Sequence, residues 1–180
     1  MNKFTTRVSS IFSFASSAFM VMILVLAILT RNYQDVPDVK LSVQDVSLSK
    51  SGIPDYYDSS SKNAQHARVK FSISADMTHL FNWNTKQLFC YLLIEYENSD
   101  DTRKKTFDNK VILWDRIITS PKKAKINLKK HFNKYSFRDY NLNFINARDA
   151  KLTLVIERVP VLGFFTNKSE RSVDISFPSE

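Results

Sequence analysis

Residues 80–96 read LFNWNTKQLFCYLLIEY. From Leu88 onward both alternate sets of positions are apolar: Leu88, Cys90, Leu92 and Ile94 on one parity, Phe89, Tyr91 and Leu93 on the other. The composition is β-rich, and a strand that is apolar on both faces belongs at the centre of a sandwich or beneath a partner. Val111 to Ile118, VILWDRII, repeats that density. The polar-aromatic preface Asn82-Trp83-Asn84-Thr85-Lys86-Gln87 either closes the turn before this strand or docks something.

Working outward, Val69, Phe71, Ile73 and Ala75 alternate with polar residues and predict a half-buried strand. Val39, Leu41 and Val43 share one parity, whereas Val46 and Leu48 take the other, so an extra residue near Gln44-Asp45 predicts a bulge. Leu152, Leu154 and Ile156, then Val173, Ile175 and Phe177, supply late strands. Lys50 to His66 is polar and turn-rich and is expected to be an exposed loop. Leu128, Phe132 and Tyr135 fall at helical spacing, which predicts a short amphipathic helix capped by Asn127. Roughly seven strands and one short helix make an all-β, antiparallel β-sandwich-like domain.

Val8 to Thr30 carries no charge and is bounded by Arg7 and Arg31. As a helix it reaches about 34 Å at ~1.5 Å per residue, enough to cross the hydrocarbon core. Lys3 and Arg7 would also suit a cleaved signal peptide, but Ala27-Ile28-Leu29-Thr30 is a poor cleavage site, so an uncleaved signal-anchor is the better reading. The expected organisation is therefore a cytosolic N-terminus over 1–7, a transmembrane signal-anchor over 8–30, and a lumenal domain over 31–180. The basic leading flank carries that orientation. Ser9, Ser13 and Ser17 recur every four residues, a spacing that lets two membrane helices approach closely.

Several chemistries find no foothold. With two glycines in the chain, and neither GxGxxG nor GxxxxGK, no phosphate-cradling loop is expected. His66, His79 and His131 lie apart and lack metal-ligand spacing, so no metal or other cofactor is expected. Cys90 is the single cysteine, within an apolar run, and reads as a buried hydrophobe. The net charge of +8 comes from dispersed lysines and arginines, with short clusters at 103–105 and 122–125 beside turns, so no nucleic-acid partner is expected. Ser74, Asp76 and His79 are the nearest approach to a nucleophilic set, yet Asp76-Met77-Thr78 reads as a turn whose polar side chains bond the local backbone.

The order of these features is specific. An N-terminal anchor, then SISADMTHLFNWNTKQLF, a strand ending in Glu95-Tyr96, then LWDRII closely resembles the family of third subunits of the eukaryotic signal peptidase complex. The match is strongest from about Ser72 to Ile118 and collinear elsewhere. The resemblance implies a single-pass protein of the endoplasmic reticulum membrane with most of its mass in the lumen. It implies an accessory subunit without catalytic residues that braces the catalytic subunit while signal peptides are cleaved. Its partners would be that subunit, the other small membrane subunits and, indirectly, nascent secretory chains. Asn82, Trp83, Asn84 and Lys86 are then candidate docking residues, with Trp83 equally suited to core or interface. Asn167, in the sequon Asn167-Lys168-Ser169, is a candidate glycosylation site if the domain is lumenal. A membrane-tethered lumenal binding module, chaperone-like or carbohydrate-binding, is the alternative.

Overall fold

The computed structural model describes residues 3–31, 37–50, 63–100, 105–139, 142–144, 147, 149–165 and 168–178. One long helix, α1 (Phe4–Arg31), precedes eight strands among these residues: β1 (Asp38–Lys50), β2 (Gln65–Asp76), β3 (Thr85–Asp100), β4 (Lys105–Ile118), β5 (Lys125–Phe132), β6 (Phe137–Arg138), β7 (Asp149–Pro160) and β8 (Lys168–Ser176). They form two antiparallel sheets, one ordered β1-β2-β5 with β6 also pairing β2, the other ordered β4-β3-β7-β8.

The core lies between the sheets and is built by period-two alternation. Val69, Phe71 and Ile73 of β2 face Leu88, Cys90, Leu92 and Ile94 of β3 and Leu152, Leu154 and Ile156 of β7, all buried. Trp114 joins them, its ring edge-on to Phe71 at 6.4 Å between centroids. The expected bulge is present: the β1–β2 register slips between Val43 and Asp45, which returns Val46 and Leu48 to the core side. β3 lies between β4 and β7 in its sheet, with Leu88, Cys90, Leu92 and Ile94 turned to the core and the second apolar parity, Phe89, Tyr91 and Leu93, half-buried on the outer face. At the far end Tyr96, Phe137, Phe144 and Phe177 make an aromatic cluster, in which the Tyr96 hydroxyl donates to the buried Asp139 carboxylate at 2.7 Å.

Two expectations are corrected. Residues 127–135 do not form a helix: β5 covers Lys125–Phe132 and pairs with β2, Ile126 opposite Ala75 and Leu128 opposite Ile73. β2 would otherwise present an open edge, and the ladder satisfies backbone groups that a helix of this length would satisfy without burying its apolar face. The helical spacing of Leu128, Phe132 and Tyr135 is coincidental, since Phe132 and Tyr135 stay exposed and Phe132 is covered by the cations of Arg68 and Lys70. Short helical turns do occur elsewhere among the described residues, as the 3-10 segments Thr78–Leu80 and Pro121–Lys123. Likewise, the expected loop over 50–66 ends early. Gln65 and His66 are already strand, and Gln65 is buried with its side-chain oxygen accepting the Phe144 N–H at 2.9 Å. Residues 51–62 lie outside the described residues.

The turn after β2 is as its sequence suggests. The Asp76 carboxylate accepts from the Thr78 N–H (3.1 Å) and hydroxyl (2.7 Å) and pairs with Lys125 at 3.0 Å. These bonds, the Thr78 hydroxyl first, hold the Asp76 carboxyl down at about 2. Its ordinary value is 3.8, so the stabilisation is complete above that pH and is lost as pH falls toward 2. Replacing Thr78 by Ala is expected to raise the Asp76 midpoint toward 3.8, measured by NMR titration of its carboxyl carbon.

Candidate docking surface and helix latch

The preface to β3 folds into a tight turn that uses its own polar groups. The Asn82 side-chain oxygen accepts from the Asn84 N–H at 3.0 Å and from the Thr85 hydroxyl at 2.9 Å. Asn84 is buried, and its side chain reaches across the fold. Its amide donates to the Leu162 carbonyl (2.9 Å) and to the Thr30 hydroxyl (3.1 Å), while its oxygen accepts the Leu162 N–H (2.8 Å). The Asn84 carbonyl also accepts the Val161 N–H at 2.8 Å. One asparagine thus ties the start of β3, the segment after β7 and the end of α1 together.

Gly163 completes this latch. Its φ of +109° is a left-handed conformation that side chains disfavour, and a Cβ there would sit 3.4 Å from the Ala27 Cβ. Helix and loop therefore touch almost backbone to backbone. Ile23, Leu26, Ala27 and Thr30 are the covered positions of the last turns of α1, at the i, i+3, i+4, i+7 spacing of one face. Ser9, Ser13 and Ser17 lie about a quarter turn round the helix from that face, on an exposed stripe. The hydroxyl of Ser17 is turned inward to the Ser13 carbonyl at 2.9 Å.

Of the four residues expected to dock, Asn82 and Asn84 spend their side chains inside the domain, whereas Trp83 and Lys86 remain on the surface. Trp83 is 67% exposed and Trp114 is 5% exposed, so the two tryptophans part company. Asn167 lies outside the described residues. Of the nucleophilic set, both Asp76 oxygens are taken by Thr78 and Lys125, and Ser74 and His79 are exposed. Cys90 is buried, its thiol pushed up to about 12 by desolvation.

A second surface escapes the residue-by-residue reading of the sequence. On the outer face of the β4-β3-β7-β8 sheet, Phe89, Tyr91 and Leu93 stand beside Ile117 and Ile112 of β4 and Val155 of β7. Ile112 and Ile117 are 41% and 55% exposed. Charged pairs bound this apolar patch: Glu95 with Lys110 at one end, Glu157 with Lys168 (2.9 Å) at the other, and Asp115, opposite Tyr91 between Ile112 and Ile117, with Lys134 (2.7 Å) along the β4 side. The Tyr91 hydroxyl donates to Glu157 at 2.9 Å, and burial followed by that carboxylate raises the phenol above its ordinary value. Apolar centre and charged rim are the anatomy of a protein-binding face. Its signals in the sequence were the double parity of β3 and the matching apolar density of Val111 to Ile118.

Among known proteins, the sequence matches the family described as "Signal peptidase subunit" over residues 1–180. It is similar to a mouse protein named "Adipocyte-related X-chromosome expressed sequence 1", 34% identical over 91% of this chain and 86% of that one. It is similar to chicken "Signal peptidase complex subunit 3", 31% identical with the same coverage of each chain. The protein of that name from Dictyostelium discoideum is 27% identical over 99% of this chain and 96% of its own length.

Proposed function

Because this chain belongs to the signal peptidase subunit family, we propose that it is a non-catalytic accessory subunit that braces the catalytic subunit of the endoplasmic reticulum signal peptidase. Such bracing keeps that subunit in working geometry while signal peptides are removed from nascent secretory and membrane proteins. The observation that carries the reading is the apolar outer face around Phe89, Leu93, Ile112 and Ile117, bounded by charged pairs. A scaffold contributes by fixing another protein's geometry, and small displacements of a reacting group cost orders of magnitude in rate.

α1 is long and apolar enough to cross a membrane, and in this proposal residues 8–30 span it, with 1–7 cytosolic and 31–180 lumenal. The serine stripe Ser9-Ser13-Ser17 then faces a helix of a neighbouring subunit. The partner contact falls on the outer sheet face. Asn82 and Asn84 shape the turn, and Trp83 and Lys86 present its surface.

The assay is affinity purification of the intact complex with signal-peptide cleavage as the second readout. Ile112→Lys with Ile117→Lys is expected to leave the thermal melt near that of the parent and to reduce recovery of the catalytic subunit by about tenfold or more. Alanine in place of Cys90, or of any single described serine or histidine, is expected to leave cleavage nearly unchanged in folded, assembled complex. Full recovery of the catalytic subunit with the double lysine variant would move the contact elsewhere. A lumenal binding module with its own ligand would travel without the peptidase.

Lumenal placement also predicts a carbohydrate at Asn167. An endoglycosidase-sensitive mass shift, lost on Asn167→Gln, is the expected result in microsomes.

A further inference from the structure

Around the latch lies a set of large apolar side chains that the bracing role leaves unused. Val161, Phe164 and Phe165 follow β7, and Trp83 sits in the turn beside them. All four are exposed, between 59% and 71%. Exposed aromatics gathered at one end of a domain mark a contact.

Their position relative to α1 indicates which contact. Gly163 packs on Ala27, four positions before Arg31 closes the apolar run. At ~1.5 Å per residue, that is about 6 Å below the charged end of the helix. The neighbours of Ala27 on α1, Leu24, Val25, Ile28 and Leu29, are all exposed apolar residues. The segment Val161–Phe165 is therefore held beside a stretch of α1 that has the composition of a membrane interior. Interfacial groups settle about 5–10 Å into the boundary between headgroups and acyl chains, and tryptophan is favoured there because its ring is apolar and its N–H polar.

We propose that Trp83, Val161, Phe164 and Phe165 form a foot that enters the interfacial layer of the bilayer crossed by α1, seating the sandwich on the lipid. The occupant is phospholipid, not protein. The inference rests on the reading of α1 as a membrane span. The Asn84 latch holds the foot at its depth, so that helix and foot engage one leaflet together. A single helix leaves a domain free to tilt and swivel, and a second attachment beside it removes that freedom.

The test uses the full chain in phosphatidylcholine vesicles, plain or carrying bromine on the acyl chains, one set brominated near the headgroup to report position 165 and one brominated deep in the chain to report position 21. An environment-sensitive fluorophore is placed on Phe165→Cys. Cys90 does not compete for it, being buried with its thiol pushed up to about 12. Val21→Cys in α1 reports membrane insertion. Glu97→Cys, twelve residues further along β3 than Thr85, lies ~40 Å from that end of the strand and reports water. The expected result is a blue shift and bromine quenching at positions 165 and 21, with neither at 97.

A position-165 probe that behaves like position 97 while position 21 is quenched overturns the foot and leaves the membrane helix standing. An unquenched position 21 overturns both. Shielding of position 165 that develops only when the other subunits are added assigns the patch to protein and overturns the lipid contact. Trp114→Phe supplies a second measurement free of labels at the loop. In that chain Trp83 is the remaining tryptophan, and its emission is expected to shift to shorter wavelength in vesicles and to be quenched by the same lipids.

Discussion

Replacing Phe71 by Ala is expected to lower the unfolding free energy by about 3–5 kcal/mol. Phe71 has no exposed surface and links three elements: its ring meets Trp114 of β4 at 6.4 Å and His131 of β5 at 5.9 Å between centroids. Domains of this size hold about 5–15 kcal/mol in all, so the variant would be close to unfolding at physiological temperature. Denaturant titration of the full chain in micelles, followed by the fluorescence of buried Trp114, measures the loss. Phe89→Ala, on the outer sheet face, is the comparison. It should cost less in stability and show its effect in recovery of the catalytic subunit.

The second large effect is expected from Asn84→Asp. The change preserves size and the oxygen that accepts from Leu162, but it removes both donations from the side-chain nitrogen, to Leu162 and to Thr30. A carboxylate oxygen is then turned toward the Leu162 carbonyl in a buried site, at about 2–4 kcal/mol. The loss is local to the latch, so the sandwich should melt near its usual temperature while the segment after β7 parts from α1. Hydrogen exchange at Leu162 is expected to quicken roughly a hundredfold, since every ~1.4 kcal/mol is a factor of ten. Lys86→Ala, two residues on and exposed, should change neither exchange nor melting. A swivelling domain would also lose cleavage in the assembled complex, because its bracing face would no longer be held in place.

The sequence by itself determined the parts governed by nearest neighbours and by period. Alternation placed Val69, Phe71 and Ile73 inside, a change of parity marked the slip beside Val43, and two apolar parities marked β3 as a strand with apolar side chains on both faces. The Asp76–Thr78 turn was legible because its bonds join residues two apart. The apolar length of α1 and the family signature were legible in the same way. Tertiary structure alone decided the rest. Residues 127–135 carry a helical spacing, yet the open edge of β2 drew Lys125–Phe132 into the sheet, because unpaired backbone groups outweigh a weak local preference. The preface to β3 divided its roles only in three dimensions. Asn84 turned inward because its partners, Thr30 and Leu162, stand 54 and 78 residues away in the chain, while Trp83, its neighbour, was left on the surface beside the end of α1. No local pattern encodes such contacts, since each depends on where distant strands bring the backbone.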